Sequence, residues 1–442
     1  MRRNGADSPA SRLAVVSWAA YDFANTIFSI SILSYFFPLW LGDELGAGAD
    51  LFNYVTAASM LLVVVTAPFF GAIGDLRQRR KPFLVGFTLA AVGCTLLLDA
   101  FGTVAAAVAL FVAANFGFQS ALIFYNSLLP AVAGDREMGR VSGYGTAAGY
   151  IGAIAALVSL TFLVTEPEAA RSALGPLGWW ISTEGEPNSN AFVPTAILYL
   201  LFALPAFLFV PDRRVREPQP VGLRTGYRSV VRTIRNIRRY PGMGLFILAT
   251  LLYTDTANTV VANMSLYGRV VFDMSQGEIR NLLLFSTVFA AAGALGSGFL
   301  TDRLGPKRSL ILVVVLWLAA VGLATAATEA WMLLAVGPLV GVALGATWVV
   351  SRVMLVSLSP PDKVGEFFGF YALAGRVSAV TGPALAGVIL TVFDGLGDGA
   401  YRLAILSLAV TLAVSLVLLL RVPDVRPERV SRVTADDPSR GE

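Results

Sequence analysis

Two short polar segments interrupt otherwise apolar stretches of the chain: YDFANT at residues 21–26 and YTDTANT at 253–259. In each segment an acid and an asparagine stand three residues apart, and the pairs are Asp22 with Asn25 and Asp255 with Asn258. Residues at this spacing share one face of a helix, so each segment can present a carboxylate and an amide together. A carboxylate in an apolar environment holds its proton more tightly than in water, so it can alternate between a proton and a cationic group.

Arg376 is a candidate for binding the opposite charge. It lies eleven residues into another apolar stretch, and its guanidinium stays charged. A guanidinium is suited to a carboxylate, so the acids and Arg376 together could hold both ends of a zwitterion. Two simpler roles remain open. Asp255 and Arg376 can pair with each other, as buried opposite charges must, and Asp22 can make a helix-capping or interhelical hydrogen bond.

Further polar and aromatic residues in apolar stretches complete the predicted substrate-binding or coupling set, and they are Tyr21, Tyr253, Gln119, Tyr125 and Trp348. Hydrogen bonding between helices is the alternative for Gln119 and the nearby Asn115. Arg352 lies near one end of its stretch, where a long side chain can either line the site or extend to the membrane surface.

The apolar stretches that contain these residues predict membrane-spanning helices. The chain has 442 residues, 56% of them hydrophobic and only 14% charged, with a mean hydropathy of +0.70, which excludes an ordinary soluble protein. A helix needs about 20 mostly apolar residues to cross a bilayer. Twelve stretches qualify, at 13–41, 51–74, 82–101, 103–130, 139–165, 192–210, 243–268, 279–301, 308–327, 330–357, 365–393 and 401–421. The first is predicted to be a retained helix, because no small-residue cleavage site follows it.

Basic residues are concentrated on one side of the predicted membrane. Lys and Arg are retained on the cytoplasmic side, and with the N-terminus placed there, 27 of the 33 Lys and Arg lie in cytoplasmic segments. We therefore predict a multi-pass protein of the cell (plasma or inner) membrane with both termini in the cytoplasm. The same distribution explains the net charge of +4, so nucleic acid is not expected as a partner.

Residue types on which many enzymes rely are scarce. The chain has no histidine and one cysteine, Cys94, in an apolar stretch. The commonest metal ligand is therefore missing, and so is the side chain that titrates most readily near neutral pH. We expect no metal, no cofactor and no enzymatic activity, and any proton transfer must use carboxylates.

The chain contains an internal repeat with an offset of about 230 residues. The two polar segments match each other, Gly71 and Asp75 match Gly298 and Asp302, and Gly143 matches Gly369. The repeat predicts an all-α integral membrane fold with twelve helices in two pseudo-symmetric six-helix bundles. The predicted boundaries are 1–210 for the N-terminal bundle, 211–242 for a cytoplasmic linker, 243–421 for the C-terminal bundle and 422–442 for a disordered tail.

The linker between the two bundles is basic. Residues 211–242 hold nine arginines and no long apolar run. Across 227–240, apolar residues recur at helical spacing, with arginines around the rest of the helix. This pattern predicts an amphipathic helix on the anionic lipids of the inner leaflet, and a solvated basic loop is the alternative.

Similar acidic motifs end the second and eighth stretches: GAIGDLRQRRK at 71–81 and GFLTDRLGPKR at 298–308. We predict that paired charges in these motifs latch one conformation and release another, and the residues are Asp75, Arg77, Asp302 and Arg303. With two six-helix halves and a long central loop, the motifs resemble the loop signature of the major facilitator superfamily. The first copy departs from it, because Leu76 stands where arginine is usual.

Four separated motifs carry a narrower resemblance, and they are WAAYDFANT (18–26), FQSALIFYNSLLP (118–130), SGYGTAAGY (142–150) and EFFGFYALAGRVSAVTGP (366–383). In this order they are similar to a permease subgroup related to the autophagy-linked vacuolar amino-acid effluxers. The chain departs from the subgroup at two positions. Trp348 stands where glutamine is expected, and Thr146 stands where tryptophan is usual.

These features predict a secondary transporter in which two bundles rock around a central site. Its partners would be a small solute and the lipid bilayer, and we expect a monomer. The resemblance implies amino acids or similar zwitterions as substrates, with efflux favoured, by exchange or proton coupling. Two alternatives remain: an exporter of amphipathic drugs or lipids and, from another class, a non-transporting membrane sensor.

Overall fold

The computed structural model describes residues 11–47, 49–184, 187–212 and 223–424, and every regular element in these ranges is helical. Eleven helices are long and apolar enough to cross a membrane, and a twelfth apolar helix is shorter. In chain order they are α1 (Arg12–Glu44), α2 (Ala49–Arg77), α3 (Lys81–Leu96), α4 (Val104–Ser127), α5 (Met138–Thr165), α6 (Phe192–Phe209), α7 (Met243–Phe272), α8 (Gln276–Leu304), α9 (Pro306–Ala326), α10 (Ala330–Leu358), α11 (Val364–Val392) and α12 (Asp398–Arg421). Their number and order match the twelve predicted stretches.

Local sequence signals set several helix ends. The side chain of Ser11 accepts a hydrogen bond from the Ala14 N–H at the start of α1, and Ser275 with Glu278 forms a capping box before α8. Helix α3 ends at Leu96, earlier than the predicted residue 101, because turns follow it. Helix α1 continues past the predicted residue 41 to Glu44 through two π-helical segments.

The helices form two halves, α1–α6 and α7–α12, which contact each other mainly through α2 with α11 and α5 with α8. We call the end of the bundle at which α1 begins and α12 ends the terminus side. Glycines allow the close approach there. A Cβ added to Gly298 on α8 would lie 2.6 Å from the carbonyl oxygen of Gly139 on α5, and one added to Gly71 on α2 would overlap the carbonyl of Gly365. The backbones of the two halves are therefore in direct contact.

A connector helix, Leu223–Arg235, lies between the halves in sequence and is followed by a 3₁₀ turn at Ile237–Arg239. It overlaps the predicted amphipathic segment at 227–240. The other side of the bundle carries a short helix, Pro167–Leu174, in the loop after α5. Residues 1–10, residues 213–222 of the predicted linker and residues 425–442 of the predicted tail lie outside the described residues.

Candidate functional site

A buried ion pair joins the two halves between α1 and α10. Nη1 of Arg352 donates a hydrogen bond to Oδ2 of Asp22 at 3.0 Å, and the two side chains are only 11% and 6% exposed. The same guanidinium nitrogen also donates to Oγ1 of Thr146 on α5 at 3.3 Å. Both charges are removed from solvent, and either one left unpaired there would destabilise the fold.

Two aromatic rings of the N-terminal half lie against this guanidinium. Trp18 and Tyr125 stack on each other at 4.5 Å, and their ring centroids lie 5.7 and 5.6 Å from the guanidinium carbon of Arg352. Cation–π attraction at such distances adds to the ion pair when the cation is desolvated. We call Asp22, Arg352, Thr146, Trp18 and Tyr125 the inter-half cluster.

The position of Arg352 resolves the choice left open by its sequence. Its side chain does not extend to the membrane surface but is buried against Asp22. Spacing along a helix gives depth but not the direction in which a side chain points. The signal that could have identified the site was Thr146, because this departure from the subgroup pattern contacts the buried arginine.

Arg376 makes a second inter-half contact, between α11 and α4. Its Nη2 donates a hydrogen bond to Oε1 of Gln119, and its Nε is buried without a hydrogen-bond partner. Gln119 in turn donates to Asn115 at 3.2 Å, and Asn115 donates to Ser59 at 2.6 Å. Within the described part of the chain, no carboxylate forms an ion pair with Arg376.

Asp255 is bound within the C-terminal half. Its Oδ1 accepts a hydrogen bond from the Thr381 hydroxyl at 2.6 Å, and the amide of Asn258 donates to the Ser378 hydroxyl at 3.0 Å. Both hydroxyls belong to α11, and Asp255 is 4% exposed. The alternative in which Asp255 pairs with Arg376 is therefore wrong, because the two residues have different partners.

The remaining predicted site residues divide into two groups. Tyr21 and Tyr253 are fully buried within their own halves, where Tyr21 bonds Thr88 at 2.7 Å and Tyr253 bonds Ser351 at 2.8 Å. Their hydroxyls are thus occupied by interhelical hydrogen bonds. Trp348, by contrast, lies at the contact between the halves, beside Tyr150 on α5. Asn25 is buried and its Oδ1 has no partner.

Two carboxylates on the terminus side bind the start of a helix in the opposite half. Asp75 on α2 accepts the N–H groups of Gly365 and Glu366 at 3.0 and 2.7 Å. Asp302 on α8 accepts the N–H groups of Gly139 and Arg140, in the first turn of α5, at 2.7 and 3.1 Å. Such N–H groups lack partners within the helix and carry the positive end of its dipole. Each acid therefore ties the halves together.

The predicted basic partner of Asp75 is corrected by the structure. Arg80, not Arg77, pairs with Asp75 at 2.6 Å. Gln78 adopts a left-handed φ of 50° just after α2, and this turn lets the chain bring Arg80 back to the acid. Arg77 is exposed and its guanidinium lies over the ring of Phe83 at 5.5 Å.

The predicted basic partner of Asp302 is corrected in the same way. Arg140, at the start of α5, pairs with Asp302 at 2.9 Å, whereas Arg303 is exposed. Adjacent residues on a helix point about 100° apart, so Arg303 cannot direct its side chain towards the same contact as Asp302. The partner comes from the other half of the molecule.

We expect Asp302→Asn to open the terminus side, because it replaces charge-assisted hydrogen bonds, each worth about 1.5–3 kcal/mol, with neutral ones. Spin labels at Arg77→Cys and Arg303→Cys in a Cys94→Ser background would measure the separation of the halves. The control is Glu278→Gln, which alters an exposed acid on the same helix that bonds only Ser275. Equal distance distributions for all three proteins would contradict the role of Asp302.

Hydrogen bonds between the halves define the conformation. Among the described residues, all of them lie between the terminus side and the middle of the bundle, from Asp75 and Asp302 up to Asp22 and Arg376. The structure therefore shows the two halves closed against each other on the terminus side. No group of three or more Cys, Asp or Glu side chains in the described residues is placed to hold a metal ion.

Solved structures of other proteins share this fold. The human organic anion transporter MFSD10 (TETRAN) has a TM-score of 0.72 with 13% sequence identity, covering 93% of this chain and all of that one. FucP, a major facilitator superfamily transporter in the outward conformation, has a TM-score of 0.65 with 14% identity, covering 93% and 98%. The predicted all-α fold of twelve helices is confirmed. The chain therefore has the fold of these transporters.

The family follows from the sequence comparison. Residues 47–430 match the family described as "Vacuole effluxer Atg22 like", and the chain belongs to this family. The uncharacterized MFS-type transporter YxiO of Bacillus subtilis is 26% identical over 96% of this chain and 97% of its own length. Autophagy-related protein 22-1 of Penicillium rubens is 25% identical over 66% of this chain and 50% of its own length. The resemblance expected from the four motifs is confirmed. As a member of this family, the chain is a membrane transporter of the major facilitator type and not an enzyme.

Proposed function

We propose that this protein moves a small zwitterion, an amino acid or a similar compound, by alternating access between the two halves. The observation that carries the proposal is Arg376. Its charge is permanent, it lies at a contact between the halves, and no described carboxylate neutralises it. A cation held in this way is suited to the carboxylate of a solute.

The proposed roles of the other residues follow from their contacts. Gln119 orients the guanidinium of Arg376, and Trp348 lines the contact between α10 and α5. Asp255 with Asn258 is the proposed site for the ammonium group, because no described cation neutralises this acid. Asp22 is the proposed coupling group. A proton on its carboxylate would remove the charge that holds Arg352 and so allow the terminus side to open.

The proposed setting is the cell membrane, with the terminus side in the cytoplasm. This orientation rests on the concentration of Lys and Arg in the loops of that side. Family membership and the effluxer description favour export. We further propose that the protein acts as a monomer, and that anionic inner-leaflet lipids contact residues 227–240.

Counterflow in proteoliposomes tests the substrate class, using a panel of labelled amino acids with and without a pH gradient. We expect exchange of at least one of them, and we expect Arg376→Gln to reduce it by about a hundredfold, as for loss of a buried charged contact worth about 3 kcal/mol. Arg376→Lys is the matched variant. It keeps the charge but lacks the planar fork, so part of the activity should remain.

Two results would overturn parts of the proposal. If no amino acid exchanges in the unsubstituted protein, the substrate class is wrong. If Arg376→Gln exchanges its substrate as fast as the unsubstituted protein, the solute does not bind Arg376, even though the protein transports it.

A second candidate, export of amphipathic compounds, is favoured by an apolar cavity in the C-terminal half. The cavity measures about 580 Å³ including its open mouth, and α7 and α9–α12 line it mainly with aliphatic and aromatic side chains. The hydroxyl of Thr259 on its wall is buried without a partner. Competition by amphipathic amines, but not by amino acids, would support this candidate over the first.

A further inference from the structure

The inner face of the connector helix contacts both halves of the transporter. Gly226 lies against Phe69 and Ile73 of α2, where an added Cβ would come within 3.0 Å of each side chain. Three residues further along, the hydroxyl of Ser229 donates to Oε2 of Glu366 on α11 at 3.0 Å. The helix therefore bridges the N-terminal half and the C-terminal half on the terminus side.

Lys363 strengthens this bridge on the α11 side. Its ammonium donates to Oγ1 of Thr233 at 2.6 Å and pairs with Glu366 at 3.4 Å, and it lies 5.5 Å from the ring centroid of Tyr240. Burial by itself would lower the pKa of Lys363, but Glu366 and Tyr240 raise it above its usual value. The lysine therefore stays charged at neutral pH.

The connector helix binds where one of the inter-half ties is made. The backbone N–H of Glu366 donates to Asp75 of α2 at 2.7 Å, while its side chain binds Ser229 and Lys363. The start of α11 is thus held by α2 and by the connector helix together. If α11 moves away from α2, the connector helix must lose its contacts with one of them.

The outer faces of the connector helix suit an anionic membrane surface. Tyr227 and Ile234, seven residues apart and so on one face, are 66% and 56% exposed. Exposed arginines share the adjacent face of the helix, and they are Arg224, Arg228, Arg232 and Arg235. Apolar side chains beside a cluster of arginines are typical of helices that lie at the surface of an anionic leaflet.

We infer that anionic phospholipid headgroups bound to the outer arginines hold the connector helix against α2 and α11 and thereby stabilise the state closed on the terminus side. A ligand shifts a conformational equilibrium when it binds one state better than the other. Only the closed state offers the docked helix, so lipids that fix the helix in place favour closure. Its consequence for transport rests on the proposed function, whereas its test measures only the separation of the two halves.

The test measures the separation of spin labels at Arg77→Cys and Arg303→Cys in a Cys94→Ser background. Nanodiscs of phosphatidylcholine alone are compared with nanodiscs in which about a quarter of the lipid is phosphatidylglycerol. We expect the ratio of closed to open molecules to rise severalfold with phosphatidylglycerol. Combining Arg224→Gln, Arg228→Gln and Arg232→Gln should remove this response, whereas Thr225→Ala, an exposed change without loss of charge, should keep it.

A second variant separates docking from lipid binding. Ser229→Ala with Thr233→Val removes the hydrogen bonds to Glu366 on α11 and to Lys363 just before it. It leaves every arginine in place, so it should still bind lipid but lose the response. No response in the unsubstituted protein, or an undiminished response in this variant, would overturn the inference. The distance measurement needs no solute, so a failure of the proposed substrate class would leave the result interpretable.

Discussion

Asp22→Asn is expected to destabilise the protein and open its terminus side, whereas the double variant Asp22→Asn/Arg352→Gln should recover much of the lost stability. Removing one member of a buried ion pair leaves an uncompensated charge and costs about 3–5 kcal/mol, but replacing both members is often close to neutral. The 3.0 Å contact and the burial of both side chains place Asp22 and Arg352 in this category. Thermal unfolding in detergent would measure the loss and the recovery.

The matched control for this prediction is Asp255→Asn. Asp255 is also a buried acid on the first helix of its half, but its described partner is the neutral hydroxyl of Thr381. We expect a much smaller loss of stability, because no cation is left unpaired. A loss of stability as large as for Asp22→Asn, or a double variant no more stable than Asp22→Asn, would contradict the importance of the ion pair.

Gly298→Val should abolish transport while leaving the protein folded. Any side chain at Gly298 would meet the backbone of α5, with a Cβ 2.6 Å from the Gly139 carbonyl oxygen, and backbone atoms cannot move aside as a flexible side chain can. The two halves would then be unable to close on the terminus side. Counterflow would show the loss of transport, and the spin-label distance between positions 77 and 303 would show the open state.

Gly296 provides the control on the same helix. It is exposed, and a Cβ added there would meet nothing within 4 Å. Gly296→Val makes the same chemical change two residues away, so it tests whether a bulkier residue in α8 is harmful by itself. Normal transport by Gly298→Val, or equal loss in both variants, would rule out the backbone contact as the cause.

The helices and the two-half repeat could be predicted from sequence alone, because the length of the apolar stretches and the matching polar segments are visible in the chain itself. It also indicated that Asp75 and Asp302 have related roles, since both end the second helix of their half. It did not identify Arg80 and Arg140 as their partners. One partner returns through a left-handed turn at Gln78, and the other comes from the opposite half, and neither relation is encoded in local spacing.

The contacts within the candidate site were less predictable, because local spacing does not encode them either. Residue spacing placed Asp22 and Arg376 inside apolar stretches, but it gave no information on which helices lie beside them. No partner was therefore predicted for Arg352, and the predicted pairing of Asp255 with Arg376 does not form. The packing of α1 against α5 and of α7 against α11 decides these contacts, and it depends on the whole bundle.

The lack of an ionic partner for Arg376 has a consequence for how the protein responds to membrane voltage. Asp22 and Arg352 cancel each other's charge, but Arg376 and Asp255 each stand without an ionic partner among the described residues. Moving one elementary charge through a membrane potential of 100 mV involves about 2.3 kcal/mol. In the proposed transport cycle, a solute carboxylate bound to Arg376, or a proton on Asp255, would change the charge that the two halves carry through that field. We therefore expect loaded and empty carriers to respond differently to voltage.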